Sequence, residues 1–200
     1  MSATAVTGHR PHKLPDEKTG YDAMNSFRVA VRRAISEYLW HTRPEKLLGG
    51  GAARTDLDFL LCGAALGIPF EMYLPLPADR HWQSLPQVDR PLHRYLQALA
   101  SKIVVCSNGY TALVGKHGPG TELGGEYGAI RSPFLVRDEY MVEQLGPEDR
   151  LLSVWDGTGG GTAYTTRYAQ KTGRTVDLLD LQVLKDPQRD LFRKLEVRRL

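Results

Sequence analysis

Short unbroken apolar runs alternate with longer amphipathic stretches along this chain, and that alternation restricts its fold more than any other feature. ATAVT at 3–7, KLLGGG at 46–51, IPFEMYLPLP at 68–77, KIVVCS at 102–107, LLSVW at 151–155 and TVDLLDL at 175–181 read as strands. KIVVCS is rich in branched residues and has no polar alternation, as expected of a strand buried on both faces of a parallel sheet. Between these runs lie helical patterns, so the expected class is α/β: a three-layer sandwich with a mostly parallel central sheet. At 200 residues and 42% hydrophobic composition the chain can bury one substantial core. A single domain over 1–184 is expected, followed by a basic amphipathic C-terminal tail over 185–200.

From Tyr21 to His41, Met24, Phe27, Val31, Ile35, Tyr38 and Leu39 recur at three- and four-residue spacing. That predicts a helix with one buried stripe and places Arg28, Arg32, Arg33 and Glu37 in water. DLDFLLCGAALG predicts a second helix stopped by Gly67, and further helices are expected over 88–100, 126–145 and 163–171. ADRHWQSLPQ, beginning at Ala78, reads as a polar connection. Residues 108–125, glycine-rich and without a steady period, read as a mobile loop able to close as a lid.

Composition narrows the partners. There are 26 basic and 23 acidic residues, and the resulting +3 does not by itself imply nucleic-acid binding, although it permits an anionic ligand. Cys62 and Cys106 sit in apolar surroundings, which predicts reduced thiols rather than a disulfide. No Cys/His spacing suggests a metal. No apolar run is long enough to cross a bilayer, and the N-terminus lacks a signal-peptide core. A cytoplasmic protein without membrane contact is expected. In the tail, Lys185, Arg189, Arg193, Lys194, Arg198 and Arg199 accompany Leu191, Phe192, Leu195 and Val197, so docking on the chain's own domain or on a sister subunit of a homo-oligomer is expected over nucleic-acid binding.

Ligands of open parallel sheets gather outside the carboxyl ends of the strands, where strand order reverses. Three loops there share one character: TGHRP after the first strand, GGGAARTD after the second and WDGTGGGT near the C-terminus. Glycines leading into a helix bare backbone N–H groups at the positive end of the helix dipole, which suits a phosphate. Gly159, Gly160 and Gly161 are candidates to expose that backbone, with Thr162 as cap or phosphate donor. Asp156, beside a phosphate, is repulsive and is read either as accepting ribose hydroxyls or as bracing its own turn. Thr55, with Asp58 three residues on, reads as a structural cap. Arg10 is placed for paired charge-assisted bonds to a phosphate, and His9 for stacking on a base or donating to a phosphate. Trp82 and Tyr110, in polar surroundings, are candidates for contacting a base. Neither the GxGxxG fingerprint nor a Walker loop is present, which excludes ordinary NAD dehydrogenase and ATPase readings.

TGHRPHKL, GGGAARTD, RDEYMV and VWDGTGGGTAYTTRYAQKTGRTV, in that order, resemble the YpsA-like branch of the SLOG superfamily, the Rossmann-like group that includes the LOG nucleotide phosphoribohydrolases and DprA. The resemblance implies a Rossmann-like fold and a nucleotide-type pocket at Gly8, His9, Arg10, Gly50, Gly51, Asp56, Asp156, Gly160, Gly161 and Thr162. LOG enzymes carry a PGGxGTxxE motif whose glutamate assists glycosidic cleavage, and an arginine on a preceding helix. Arg137 matches that arginine, but the glutamate's position is Thr165, which cannot stabilise an oxocarbenium-like centre or activate water. Glu122, Glu126, Asp138 and Glu139 are candidates to substitute from another direction. The expected function is therefore binding of a nucleotide or nucleotide-derived metabolite, such as an ADP-ribose-like molecule, as a sensor or sequestering protein. The alternatives are a nucleotide N-glycosidic hydrolase or transferase, and a DprA-like nucleic-acid binder.

Overall fold

The structure is a computed structural model describing residues 2–9, 21–106, 132–184 and 197–200, with backbone alone at 21–26, 183–184 and 197–198. Arg10, Tyr110, Glu122, Glu126 and the 108–125 loop lie outside the described residues.

In chain order the elements are β1 (Ala3–Gly8), α1 (Tyr21–Thr42), β2 (Lys46–Gly49), α2 (Thr55–Ala65), β3 (Phe70–Leu74), α3 (Ala78–Ser84), α4 (Arg90–Leu99), β4 (Lys102–Val105), α5 (Pro133–Glu143), β5 (Arg150–Trp155), α6 (Gly161–Lys171), β6 (Thr175–Asp180) and β7 (Val197–Arg199). The sheet runs β4-β3-β2-β1-β5-β6-β7. Every pairing from β4 to β6 is parallel, and β7 closes that edge antiparallel to β6. The fold is thus a Rossmann-like α/β sandwich.

Side-chain alternation along the strands sorts the core into two layers. On one face Val6, Leu47, Met72, Leu74, Leu152, Val154 and Leu179 meet Val31, Ile35 and Leu39 of α1, Leu57 and Leu60 of α2, and Leu96 of α4. On the other, Ala5, Leu48, Tyr73, Leu151 and Val176 meet Met141 and Val142 of α5 and Ala169 of α6. Each large side chain so buried contributes roughly 1.5–3 kcal/mol. Small polar residues let α6 approach closely, and Ser153 Oγ meets Thr166 Oγ1 at 2.7 Å beneath the helix.

Several local expectations are corrected. Arg28 and Arg32 do not stay in water: both donate to the buried Asp58, at 2.8 Å and 2.6 Å from its Oδ1. Asp58 therefore answers a neighbouring helix rather than forming a capping box. Thr55 makes no cap either, since its hydroxyl donates to the His9 carbonyl at 3.1 Å and ties α2 to the end of β1. The polar run after Pro77 is helix α3. At the C-terminus, Val197–Arg199 pairs with β6 as strand β7, so this part of the tail does dock on the chain's own domain, as a sheet strand.

Crossovers from β1 to β4 use helices on the first face, and those from β4 to β6 use the second. The order of strands reverses between β1 and β5, and a crevice opens at their carboxyl ends.

Candidate functional site

At that switch point β1 ends in Gly8, followed by His9, and β5 ends in Trp155, followed by Asp156. A cavity of about 320 Å³ opens there, lined by Gly8, His9, Asp56, Arg137, Asp138, Gly160, Gly161 and Thr162 among others. Gly8 fits because a Cβ would stand 2.8 Å from Thr55 Oγ1, where β1 and α2 touch.

The wall made by α6 is a helix N-terminus without a side-chain cap. Gly160 occupies the N-cap with φ 129°, a left-handed conformation suited to glycine. Among the described residues no atom lies within 4 Å of where a Cβ on Gly161 would stand. The first-turn amides thus face the crevice with the dipole's positive end, and Thr162 is buried beside them. Asp156 holds the turn that leads there: it accepts from the Thr158 N–H at 2.9 Å and the Thr158 hydroxyl at 2.6 Å, and pairs with His9 Nε2. Trp155 Nε1 adds a bond to the Thr158 carbonyl at 2.6 Å. Asp156 is 2% exposed and does not line the cavity, so bracing is the role its contacts describe.

Opposite α6 lies a buried charge cluster. Arg137 Nη1 donates to Asp56 Oδ2 at 3.2 Å, and its Nε stands 2.7 Å from Asp138 Oδ1. Asp56 also accepts from the Ala52 N–H at 3.2 Å. Burial pushes the Asp56 carboxyl above its ordinary value, Asp138 adds to that, and Arg137 opposes it. Burial disfavours the Arg137 cation, but Asp138 and Asp56 overcome this and hold it above its ordinary value. Gly50 makes the pairing feasible, because a Cβ there would coincide with the Arg137 guanidinium. With all three ionised the cluster carries one negative charge, so a phosphate is favoured at the α6 amides and hydroxyl groups at the carboxylates.

Asp138 joins the two walls. Its Oδ2 accepts from the Thr165 hydroxyl at 2.9 Å, so a carboxylate from α5 stands beside the position where the LOG motif carries glutamate. Thr165 itself is fully buried.

The structure brings Gly8, His9, Asp56, Arg137, Gly160, Gly161 and Thr162 to one cavity. Gly50 and Asp156 support it from behind. Gly51, with φ +64°, packs near His93 and accepts from His81 Nε2 at 3.0 Å through its carbonyl. Gly159 borders a neighbouring groove. Trp82 is not in the lining: its ring is covered by the Arg90 and Arg94 guanidinium groups, 5.0 Å and 4.9 Å from its centroid. The buried imidazoles of His81 and His93, 5.2 Å apart, had no apolar period to announce them. Among the described residues no helix is long and apolar enough to cross a membrane, and no group of His, Cys, Asp and Glu could hold a metal ion.

No family model matches the chain, and no curated protein does. Among solved structures it is similar to DNA processing protein A (DprA) from Streptococcus pneumoniae, with TM-score 0.48 and 14% identity, covering 88% of this chain and 49% of that one. It is also similar to S. aureus MnaA in a co-structure with UDP, with TM-score 0.37 and 12% identity over 90% of this chain and 68% of that one. A third is the UDP-GlcNAc 2-epimerase from Neisseria meningitidis bound to UDP-GlcNAc, with TM-score 0.36 and 12% identity over 96% and 73%. The chain spans about half the length of the DprA chain.

Proposed function

We propose that this chain is a SLOG-type domain of the YpsA-like branch that binds a nucleotide or nucleotide-derived metabolite and senses or sequesters it. The phosphate rests on the first-turn amides of α6, and ribose hydroxyls face Asp56 and Asp138. One observation carries this reading: the ends of β1 and β5, the uncapped start of α6 and the Asp56–Arg137–Asp138 cluster surround a single cavity at the switch point. Free Cys62 and Cys106 fit a reducing compartment such as the cytoplasm.

Native mass spectrometry of freshly purified protein, followed by calorimetry with a panel of ribonucleotides, tests it. A co-purified or titrated nucleotide with one-to-one stoichiometry is expected. A flat response across the whole panel removes the proposal.

A second reading, cleavage of the N-glycosidic bond, is favoured by the contact of Asp138 with Thr165. Asp138 then supplies the carboxylate that stabilises the positive charge developing on the ribosyl carbon as the base departs, and water adds to that carbon to complete the hydrolysis. Chromatography of nucleotides incubated with the protein would show released base, lost in Asp138→Asn. Absence of release from a bound nucleotide leaves sensing as the function.

A further inference from the structure

We infer that the ligand does not end in the cavity but continues over Gly160 into a second groove along α6, and that it is a diphosphate-linked dinucleotide. This rests on the nucleotide-binding reading above. The groove has a volume of about 370 Å³ and is lined by Gly159, Gly160, Tyr164, Arg167, Tyr168 and Lys171 among others. Gly160 also lines the first cavity, so the two openings meet at the one residue whose backbone caps α6. Among the described residues no atom lies within 4 Å of where a Cβ on Gly159 or Gly161 would stand, so none of their side chains rises between the two openings.

The side chains of the groove belong to one helical face. Residues 164, 167, 168 and 171 follow the three- and four-residue spacing that aligns side chains on a helix. At about 1.5 Å per residue they extend the site by roughly 10 Å beyond the first turn. Tyr164 and Tyr168 present nearly parallel rings, 6.3 Å between centroids and 10° between planes. Both hydroxyls donate to carboxylates of α5, Tyr164 to Glu139 and Tyr168 to Glu143, the latter at 2.8 Å. The rings are therefore fixed before a ligand arrives, which lowers the ordering cost of stacking a base against them.

Arg167 and Lys171 supply the charge. Both are exposed, and among the described residues neither has a carboxylate within ion-pairing distance. Four residues apart on one helix, these like charges repel each other until an anion stands between them. The first cavity alone is at the small end for a bound ligand, suited to one nucleotide half, and the groove provides comparable room for the other. A continuous nucleic-acid strand fits poorly, because Asp56 and Asp138 close the far side of the cavity with negative charge. A small ligand bearing its anionic groups in the middle and a ring at each end fits both openings.

Calorimetry on the full chain tests this with matched probes: each of the four ribonucleoside 5′-monophosphates against the diphosphate-bridged dinucleoside of the same base. For at least one base the dinucleotide should bind about tenfold tighter or more. The double variant Arg167→Ala/Lys171→Ala, which changes only exposed side chains, should remove that advantage and leave monophosphate affinity unchanged. Equal affinity for monophosphate and dinucleotide overturns the extended site while the nucleotide reading stands. Failure of every probe overturns both. A twelve-nucleotide single-stranded DNA that outcompetes the dinucleotide, and does so only with Arg167 and Lys171 present, identifies the groove as a strand contact and also overturns the inference.

Discussion

Gly50→Ala perturbs the cavity through a single methyl group. The new Cβ would coincide with the Arg137 guanidinium and stand 2.7 Å from Asp56 Oδ2. Gly50 is not among the residues with positive φ, so alanine strains no backbone there and the whole effect is steric. Arg137 and Asp56 are each 4% exposed, which leaves the guanidinium no short route to water other than abandoning its partners. Breaking a buried ion pair by removing one member costs about 3–5 kcal/mol. Against the roughly 5–15 kcal/mol that stabilises a domain, this is a large loss, and it corresponds to a fall in Tm of roughly 6–20 °C for a chain of this size. Part of the loss depends on pH. An Asp56 carboxyl left without its cation is raised further by burial and by Asp138, so the neutral form is tolerated and stability falls as pH rises through the raised value. The defect should be smaller at pH 5 than at pH 8. Urea unfolding of the wild type, Gly50→Ala, Arg137→Ala and the double variant closes a cycle. In the Arg137→Ala background the methyl group has room, and its cost should drop below about 1 kcal/mol. Equal cost in both backgrounds would refute the claim that Gly50 is glycine for the sake of Arg137.

His93 is fully buried, neither ring nitrogen has a hydrogen-bond partner among the described residues, and burial pushes its pKa down to about 4. The unfolded chain takes up this proton near the ordinary 6.5 and the folded chain does not, so stability is present above that value and is lost as pH falls toward about 4. The Tm of His93→Phe should vary less steeply than wild type between those limits, and identical slopes reject the assignment. Asp156→Ala removes both bonds to Thr158 and the carboxylate that pairs with His9. It should cost about 1–3 kcal/mol in chemical denaturation. It should also weaken nucleotide binding, and unchanged affinity in the folded variant contradicts the bracing role. Gly161→Ala meets no atom of the described residues within 4 Å, so its stability should match wild type within about 1 kcal/mol while phosphate binding is lost. Retained binding places the phosphate elsewhere.

Strand positions were legible because a parallel strand buried on both faces is largely apolar along its length, as LLSVW is in the middle of the sheet; KIVV also forms a strand, but at the sheet edge with Ile103 40% exposed, so its expected burial on both faces is corrected. The cavity's address followed from the same pattern, since glycines after strands mark where backbone must turn and bare its amides. What escaped the sequence depends on partners far along the chain. Asp58 looks like part of a local cap, yet Arg28 and Arg32 reach it from α1. Asp138 is one of four carboxylates that the sequence offers near the missing glutamate, and only folding singles it out by placing it on Thr165. Helix α3 is short and polar, and it is anchored by His81, which no count of apolar residues registers. Trp82, expected at a ligand, is instead occupied by Arg90 and Arg94 from the following helix.

In the proposed binding mode the first-turn amides of α6 hold a ligand phosphate. Selective ¹⁵N-glycine labelling and titration with the ribonucleoside 5′-monophosphates reads those amides individually. Gly160 and Gly161 should shift downfield and saturate with the calorimetric binding curve, while Gly67 and Gly173, which do not line the cavity, stay in place. Saturable nucleotide binding that leaves the Gly160 and Gly161 resonances unmoved would contradict that mode.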